Sequence, residues 1–116
     1  MTLVSITDVI GDLEPNDLQH EEVLTAGPLT VEVGKYPADS AVPKNSHNEE
    51  ELYYVLSGSG KLRVGDDTHE IAAGDLVHVE PELEHDFFHI TEEITVLIVL
   101  GPSANPSSYG IREQDS

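Results

Sequence analysis

The sequence predicts an all-β sandwich or barrel, and two observations support this fold class. Short runs of alternating apolar and polar residues recur from residue 29 onward, and turn signals such as Gly-Asp-Asp at 65–67 separate them. No stretch has the apolar spacing of a convincing amphipathic helix. The chain has 116 residues, which is long enough for one domain with a single closed core.

The predicted strands define a central sandwich or barrel with a segment on each side. In chain order they cover residues 29–36, 51–56, 61–64, 68–71, 76–79, 86–90 and 94–100, with turns expected at 57–60 and 91–93. We therefore assign the sandwich or barrel to residues 29–101. Residues 1–28 are expected to be a lead-in that packs on the barrel, with a short edge strand at 6–10 and a strand or helical turn at 18–24. Residues 102–116 are rich in Pro, Ser and Asn and predict a polar tail.

The charge of the chain is strongly acidic. It has 23 acidic and 5 basic residues, a net charge of -18, and the acids are spread along the whole sequence. Such a surface repels nucleic acid and anionic membranes, so neither is an expected partner. Salt screens the self-repulsion of these charges, which favours adaptation to a high-salt, halophilic cytoplasm. An ordinary acidic bacterial protein is the alternative.

The cysteine content, the apolar stretches and the first residues further limit the kind of protein and its location. The chain has no cysteine, so any metal must be held by nitrogen and oxygen ligands. The longest apolar stretch, residues 94–100, is seven residues long and too short to span a bilayer. The first residues lack the basic start of a secretory signal. We expect a cytoplasmic protein.

A run of polar side chains precedes the strand at 51–56 and predicts a metal site. In an extended chain Asn45, His47, Glu49 and Glu51 share one face. If that face points inward, imidazole, carboxylate and amide oxygen converge, and these donors suit a divalent transition metal. A third strong ligand must come from elsewhere, and His85 is the candidate.

The same residues resemble the two sequence motifs of the cupin family. The first motif reads G-x5-H-x-H-x3-4-E-x6-G, and its second His, its Glu and its last Gly are matched by His47, Glu51 and Gly58. The second motif reads G-x5-P-x-G-x2-H-x3-N, and Gly74 and His85 match it. The joint match at this spacing is specific, whereas either motif alone is weak. The resemblance covers roughly residues 29–101 and implies a double-stranded β-helix, the jelly-roll cupin barrel.

Several motif positions differ from the family pattern. Asn45 stands at the first His of the first motif, and Asp39 at its opening Gly. Glu80, Glu82 and His89 stand at the Pro, second Gly and final Asn of the second motif.

The resemblance implies a metal held by His47, Glu51 and His85. This 2-His-1-carboxylate set suits Fe(II) or Mn(II) and accepts Ni, Cu or Zn. Asn45 is either a weak fourth ligand or a loop residue that caps a turn. A buried, hydrogen-bonded cluster without metal is the alternative for the whole set. The spacing to Gly58 favours Glu51 over Glu50 as the ligand, and Glu49 and Glu50 are assigned to the solvated acidic face.

The remaining pocket residues follow from strand parity. Tyr53 has the parity of Glu51 and His89 that of His85, so both are expected to line the pocket, although each could be an ordinary packed residue. His78 is expected to face outward, and His20 and His69 to lie on the surface. The strand at 51–56 is apolar on both faces, which predicts a second subunit or the N-terminal segment as an outer cover. A homodimer is the expected assembly.

Two functions remain open from the sequence. One is a metal-dependent, dioxygenase-like enzyme that acts on a small oxygen-containing substrate. The other is a non-catalytic cupin that binds a small molecule, with a structural metal or none. The fold itself does not decide between them.

Overall fold

The computed structural model describes residues 1–14, 17–40 and 48–102. Its elements are α1 (Ile6–Gly11), β1 (Gln19–Ala26), β2 (Leu29–Tyr36), β3 (Glu51–Val64), β4 (Asp67–Ala72), β5 (Leu76–Val79) and β6 (His85–Leu100). The prediction of an all-β fold is confirmed. The predicted tail lies outside the described residues from position 103 onward. No helix in the described ranges is both long and apolar enough to cross a membrane.

The six strands form one antiparallel sheet organised around β3 and β6. The strand order is β1-β2-β6-β3-β4, and β5 pairs with the first half of β3. The first half of β3 pairs with the second half of β6, from Glu51 opposite Leu100 to Val55 opposite Val96. The second half of β3 pairs with the first half of β6, from Lys61 opposite Phe88 to Val64 opposite His85. Both halves contribute to one buried core, so the sheet curves around its own inner face.

The two predicted turns at 57–60 and 91–93 are wrong, because β3 and β6 continue through them. The register between the strands shifts at residues 55–61, as β-bulges do where a strand bends without ending. Gly58 lies in the bend with φ 94°. A Cβ atom there would collide with the backbone carbonyl oxygen of Glu93. The glycine cluster therefore permits a bend and a close approach of β3 to β6 instead of a hairpin turn.

The core is a cluster of buried apolar and aromatic side chains on the inner face. It combines residues from both halves of the curved sheet, and most are under 3% exposed. Its members are Tyr36, Tyr53, Val55, Leu62, Ile71, Val79, Phe87, Ile90, Ile94, Val96, Ile98 and Leu100.

The N-terminal segment differs from its prediction. Residues 6–10 were expected as an edge strand, but they belong to helix α1. The Oγ of Ser5 accepts a hydrogen bond from the backbone N–H of Asp8 at 3.3 Å, and Asp8 lies in the first helical turn. This is the arrangement of a capped helix start, which the Ser-x-x-Asp spacing signals in the sequence.

Strand β1 is part of the sheet. Residues 18–24 were expected to form a strand or a helical turn, and the strand is correct. β1 pairs with β2 from Gln19 opposite Lys35 to Ala26 opposite Leu29. The expected boundary between residues 28 and 29 thus falls inside a hairpin whose turn holds Gly27 at φ 58°.

Candidate functional site

The site is centred on an acid–imidazole pair at the start of β3 and of β6. The Nε2 of His85 lies 3.2 Å from Oε1 of Glu51, and each side chain is 3% exposed. In the register of the sheet, Glu51 is opposite Val79 and Leu100, which are both buried. The pair therefore lies in apolar surroundings, where water screens its charges little.

The hydrogen bond made by the other ring nitrogen of His85, Nδ1, shows that the Glu51–His85 pair needs a cation. Nδ1 lies 3.0 Å from the backbone carbonyl oxygen of Leu83, and since a carbonyl can only accept, Nδ1 carries a hydrogen and donates it. In a neutral ring, Nε2 then presents a lone pair to a carboxylate oxygen. Two acceptors facing each other repel, so the position calls for a cation, either a proton on Nε2 or a metal ion. A backbone carbonyl that orients the far nitrogen is also the usual support of a metal-binding histidine.

The pKa of His85 reflects these neighbours. Burial of the ring lowers its pKa, but the hydrogen bonds to Glu51 and to the Leu83 carbonyl, with the negative charges of Glu51 and Asp86, outweigh that effect. The net pKa is raised above the ordinary value of 6.5. In the absence of metal the imidazole therefore keeps its proton to a higher pH than an ordinary histidine does.

Tyr53 lies next to this pair. Its side chain is buried at 4% exposed, and its ring centroid is 5.9 Å from that of His85 and 5.1 Å from that of Phe87. The structure thus places Tyr53 in the interior beside His85, on the face that strand parity predicts.

His89 does not join them. It is exposed, and its backbone adopts φ 50° at the bend of β6. It lines a surface cavity of about 310 Å³ together with Ser59, Lys61 and Thr91. Parity placed His89 on the face of His85 only on the assumption of a straight strand, and the left-handed residue at the bend breaks that alternation.

Two of the predicted metal ligands, Asn45 and His47, lie outside the described residues. Within the ranges that the structure describes, no group of three or more His, Cys, Asp or Glu side chains is arranged to hold a metal. Glu51 and His85 are the two members of the predicted set that the structure brings together. Their buried nitrogen and oxygen donors fit a divalent transition metal.

The assignment of Glu49 to the solvated face is wrong, while that of Glu50 is correct. Glu49 is 1% exposed, whereas the side chain of Glu50 is 53% exposed and pairs with Nε2 of His78 at 2.7 Å. The signal for Glu49 was its alternation with Glu51, which places both on the inward face.

Sequence reasoning also missed the hydrogen-bonded pair of His20 and Tyr36, which connects edge strand β1 with the core. His20 was expected at the surface, and although it is exposed, its Nε2 lies 2.8 Å from the hydroxyl of Tyr36. A Cβ at Gly34 would lie 2.9 Å from the ring of His20 and 3.0 Å from that hydroxyl, so only glycine leaves room for the pair. Tyr36 in turn packs on Phe87 with ring centroids 4.7 Å apart. The sequence gives no spacing rule that pairs residues on different strands in this way.

The departures from the family motifs have a common backbone feature. Asp39, Glu82 and His89 are the described non-glycine residues with positive φ, at 62°, 69° and 50°. They stand at the motif positions where the family has Gly, Gly and Asn, which are the residues that adopt this conformation most readily. At these positions the chain therefore adopts a conformation that glycine and asparagine favour, although it carries other residues there.

Comparison with known proteins identifies the family. The sequence pattern of the Cupin domain family, Cupin_2, matches residues 32–101. An uncharacterised protein of Streptomyces coelicolor, SCO3923, is 36% identical over 72 residues, which is 60% of this chain and 69% of that protein.

Two solved structures show the same fold. A cupin-2 domain protein of Shewanella frigidimarina has a TM-score of 0.72 at 14% identity, covering 85% of this chain and 94% of that one. The DMSP lyase DddQ of Ruegeria pomeroyi has a TM-score of 0.70 at 18% identity, covering 78% of this chain and 49% of that one. The family pattern spans more than half of the sequence, and the curved antiparallel sheet agrees with it. This chain belongs to the cupin family.

Proposed function

We propose that the protein is a metal-dependent cupin enzyme in which His47, Glu51 and His85 hold one divalent transition metal, Fe, Mn, Ni, Cu or Zn, beside a pocket for a small oxygen-containing substrate. The observation that carries this proposal is the geometry of His85. Its Nδ1 donates to the Leu83 carbonyl, and its Nε2 lies 3.2 Å from Oε1 of the buried Glu51.

A metal bound there would supply Lewis acidity and, if it is iron, activation of dioxygen in a dioxygenase-like reaction. The protein residues have separate tasks. Glu51 and His85 lie among apolar side chains that exclude water, and Leu83 holds the imidazole in one orientation. Tyr53, whose ring lies beside His85, would contact the bound substrate. Asn45 is proposed as a weak additional oxygen ligand.

A second candidate is a non-catalytic cupin that binds a small molecule, with a structural metal or none. Two features favour it. Asn45 replaces the first motif histidine. The Glu51–His85 distance of 3.2 Å is longer than a strong charge-assisted hydrogen bond but is within the range of an ion pair held by a proton alone. In that case the interior binds its ligand without metal chemistry.

Calorimetric titration of the metal-free protein with Mn²⁺, Ni²⁺ and Zn²⁺ separates these candidates. The metal-site proposal predicts one equivalent bound, tighter at pH 8 than at pH 6, with release of about one proton from His85 at pH 6. Glu51→Gln abolishes binding, and Glu50→Gln, which alters the exposed carboxylate beside it, leaves binding unchanged. No binding of any of these metals at either pH would favour the non-catalytic candidate.

We also propose that the protein is a homodimer. The outer face of the curved sheet exposes large apolar side chains that the described part of the chain does not cover: Leu52 is 39%, Tyr54 40% and Leu76 65% exposed. These three are cross-strand neighbours, since Tyr54 is opposite Leu76 on β5 and Leu52 is two residues away on β3. A second copy of the chain is the occupant that presents a matching apolar patch to this face. In analytical ultracentrifugation we expect the wild type to sediment as a dimer and Tyr54→Glu to sediment as a monomer.

The acidic surface supports two further proposals. A net charge of -18 favours a cytoplasm of high salt as the working environment. It also disfavours nucleic acids and anionic membranes as partners.

A further inference from the structure

A cleft lies between β4 and β5. Both strands pair with β3, β4 with its second half and β5 with its first half. The cavity between them has a volume of about 420 Å³, which is in the range of small-molecule sites. Its apolar wall consists of Leu62, Val64, Ile71 and Val77, with the exposed Leu76 at its outer edge.

The register of the sheet places this wall next to the candidate metal ligands. Val64 is directly opposite His85, and Val77 is directly opposite Tyr53. Opposite residues of an antiparallel pair share a face. The inner surface that holds His85 and Tyr53 therefore continues into the wall of the cleft.

The frame of the cleft is fixed by hydrogen bonds. The turn that joins β4 to β5 is attached to Val55, whose N–H donates to the carbonyl of Asp75 at 2.9 Å and whose carbonyl accepts from Gly74 at 2.8 Å. The carboxylate of Asp75 also accepts from the N–H of Ala72 at 2.8 Å. The opening is therefore a preformed part of the fold and does not require a strand to move.

The rim of the cleft selects against negative charge. Glu70 and Asp75 line it together with His69 and His78. The carboxylate of Glu50 lies next to it, at 2.7 Å from His78. These carboxylates add to a surface that is already strongly acidic, so an anionic group would be repelled at the opening.

We infer that this cleft binds the uncharged apolar part of a small molecule whose oxygen-bearing end faces Glu51 and His85. The second half of this inference rests on the proposed metal site, whereas the first half does not. The substrate class that follows is a neutral molecule with an alkyl or similar body of several carbons. Small dianionic substrates, and long ones with an anionic tail, are disfavoured.

The first experiment tests the cleft without any metal. Straight-chain alcohols from butanol to octanol are titrated into the metal-free protein, and binding is followed by backbone amide chemical shifts. We expect the largest shifts at Leu62, Val64, Ile71 and Val77, and an affinity that rises about fourfold per added methylene until the cleft is full. Hexanoate should bind more weakly than hexanol. Shifts located elsewhere, or an affinity independent of chain length, overturn the inference.

A filling variant and a matched control localise the effect. Val77→Phe occupies the cleft and should lower the affinity for hexanol at least tenfold. Val31→Phe changes another half-buried valine, on β2 and away from the cleft, and should leave hexanol binding unchanged. Equal effects of the two substitutions contradict the assignment. Because the wild-type shift map stands alone, a failure of either variant to fold does not remove the test.

The second experiment joins the cleft to the metal. Alkyl hydroxamates bind metals through two oxygens, so acetohydroxamate and hexanohydroxamate are titrated into the Zn²⁺-loaded protein. We expect the longer ligand to bind more tightly, and Val77→Phe to reduce it to the affinity of acetohydroxamate. If hydroxamates bind no better than alcohols while alcohols still occupy the cleft, the metal site fails and the cleft stands. If acetohydroxamate binds but length has no effect, the cleft fails and the metal site stands.

Discussion

The Glu51–His85 pair makes a pH-dependent contribution to the stability of the metal-free protein, and Glu51→Gln is the substitution that reveals it. Glutamine keeps the shape of glutamate but removes the negative charge 3.2 Å from Nε2 of a His85 ring that is 3% exposed. The protonated imidazole would then lack its main counter-charge. Removing one partner of a buried pair typically costs about 3 to 5 kcal/mol, because an uncompensated charge remains inside.

The pH dependence follows from the raised pKa of His85. A histidine whose folded pKa exceeds its unfolded value contributes stability below about pH 6.5 and loses it as the pH rises through the folded pKa. At pH 6 we therefore expect Glu51→Gln to lose about 3 kcal/mol, the lower end of that range, since His85 can release its proton. As the pH rises through the folded pKa and the ring becomes neutral, the difference should disappear, because the unprotonated Nε2 and the carboxylate are both acceptors, whereas the amide of the variant can donate to Nε2.

Thermal unfolding of metal-free protein in high salt measures this. At roughly 4 °C per kcal/mol for a domain of this size, the substitution should lower the melting temperature by about 12 °C at pH 6, and this loss should shrink as the pH is raised toward 9. Glu50→Gln is the control, because its carboxylate is 53% exposed and its pairing with His78 is worth under about 1 kcal/mol. Equal losses for the two variants, or a loss for Glu51→Gln that does not change between pH 6 and pH 9, would refute the reasoning.

Three further predictions concern charge, the metal and the backbone. Because screening reduces the repulsion among charges that total -18, the melting temperature should rise when salt increases from 0.1 M to the order of 1 M; salt-independent melting would contradict the halophilic interpretation. Asn45→His restores the first motif histidine and should tighten metal binding in a calorimetric titration, and an unchanged affinity would place Asn45 outside the metal's ligands. Glu82→Gly relieves a non-glycine φ of 69° and should raise stability by about 1 kcal/mol in chemical unfolding, whereas Glu84→Gly nearby should not; a loss for Glu82→Gly would mean that its side chain supports the loop before His85.

The sequence predicted those features of the fold that depend on local pattern. Alternating apolar residues located the strands, and the two motifs identified the family before any contact was known. Strand bending was not predictable in this way. The glycines around Gly58 and the residues near His89 look like turn signals in a sequence, and only the pairing of β3 with β6 shows that the strands continue through them. The parity argument for His89 failed for the same reason.

In the site, too, the sequence predicted what motif spacing records and missed contacts that depend on three-dimensional placement. Motif spacing linked Glu51 with His85 across more than thirty residues, and the structure brings their side chains to 3.2 Å. The Leu83 carbonyl that orients His85 and the pair of His20 with Tyr36 depend on three-dimensional placement, which no spacing rule records. Glu49 was misassigned because acidic runs are usually solvated, although its alternation with Glu51 indicated the interior.

Metal content of the isolated protein tests the central claim most directly. Protein purified without a histidine tag in high salt, together with the Glu51→Ala variant, is analysed for Fe, Mn, Ni, Cu and Zn. The proposed site predicts about one equivalent of one of these metals in the wild type and its loss in the variant, with Glu50→Ala retaining it. Absence of metal from the wild type, even after reconstitution, or equal metal in the wild type and Glu51→Ala, would contradict a site built on Glu51 and His85.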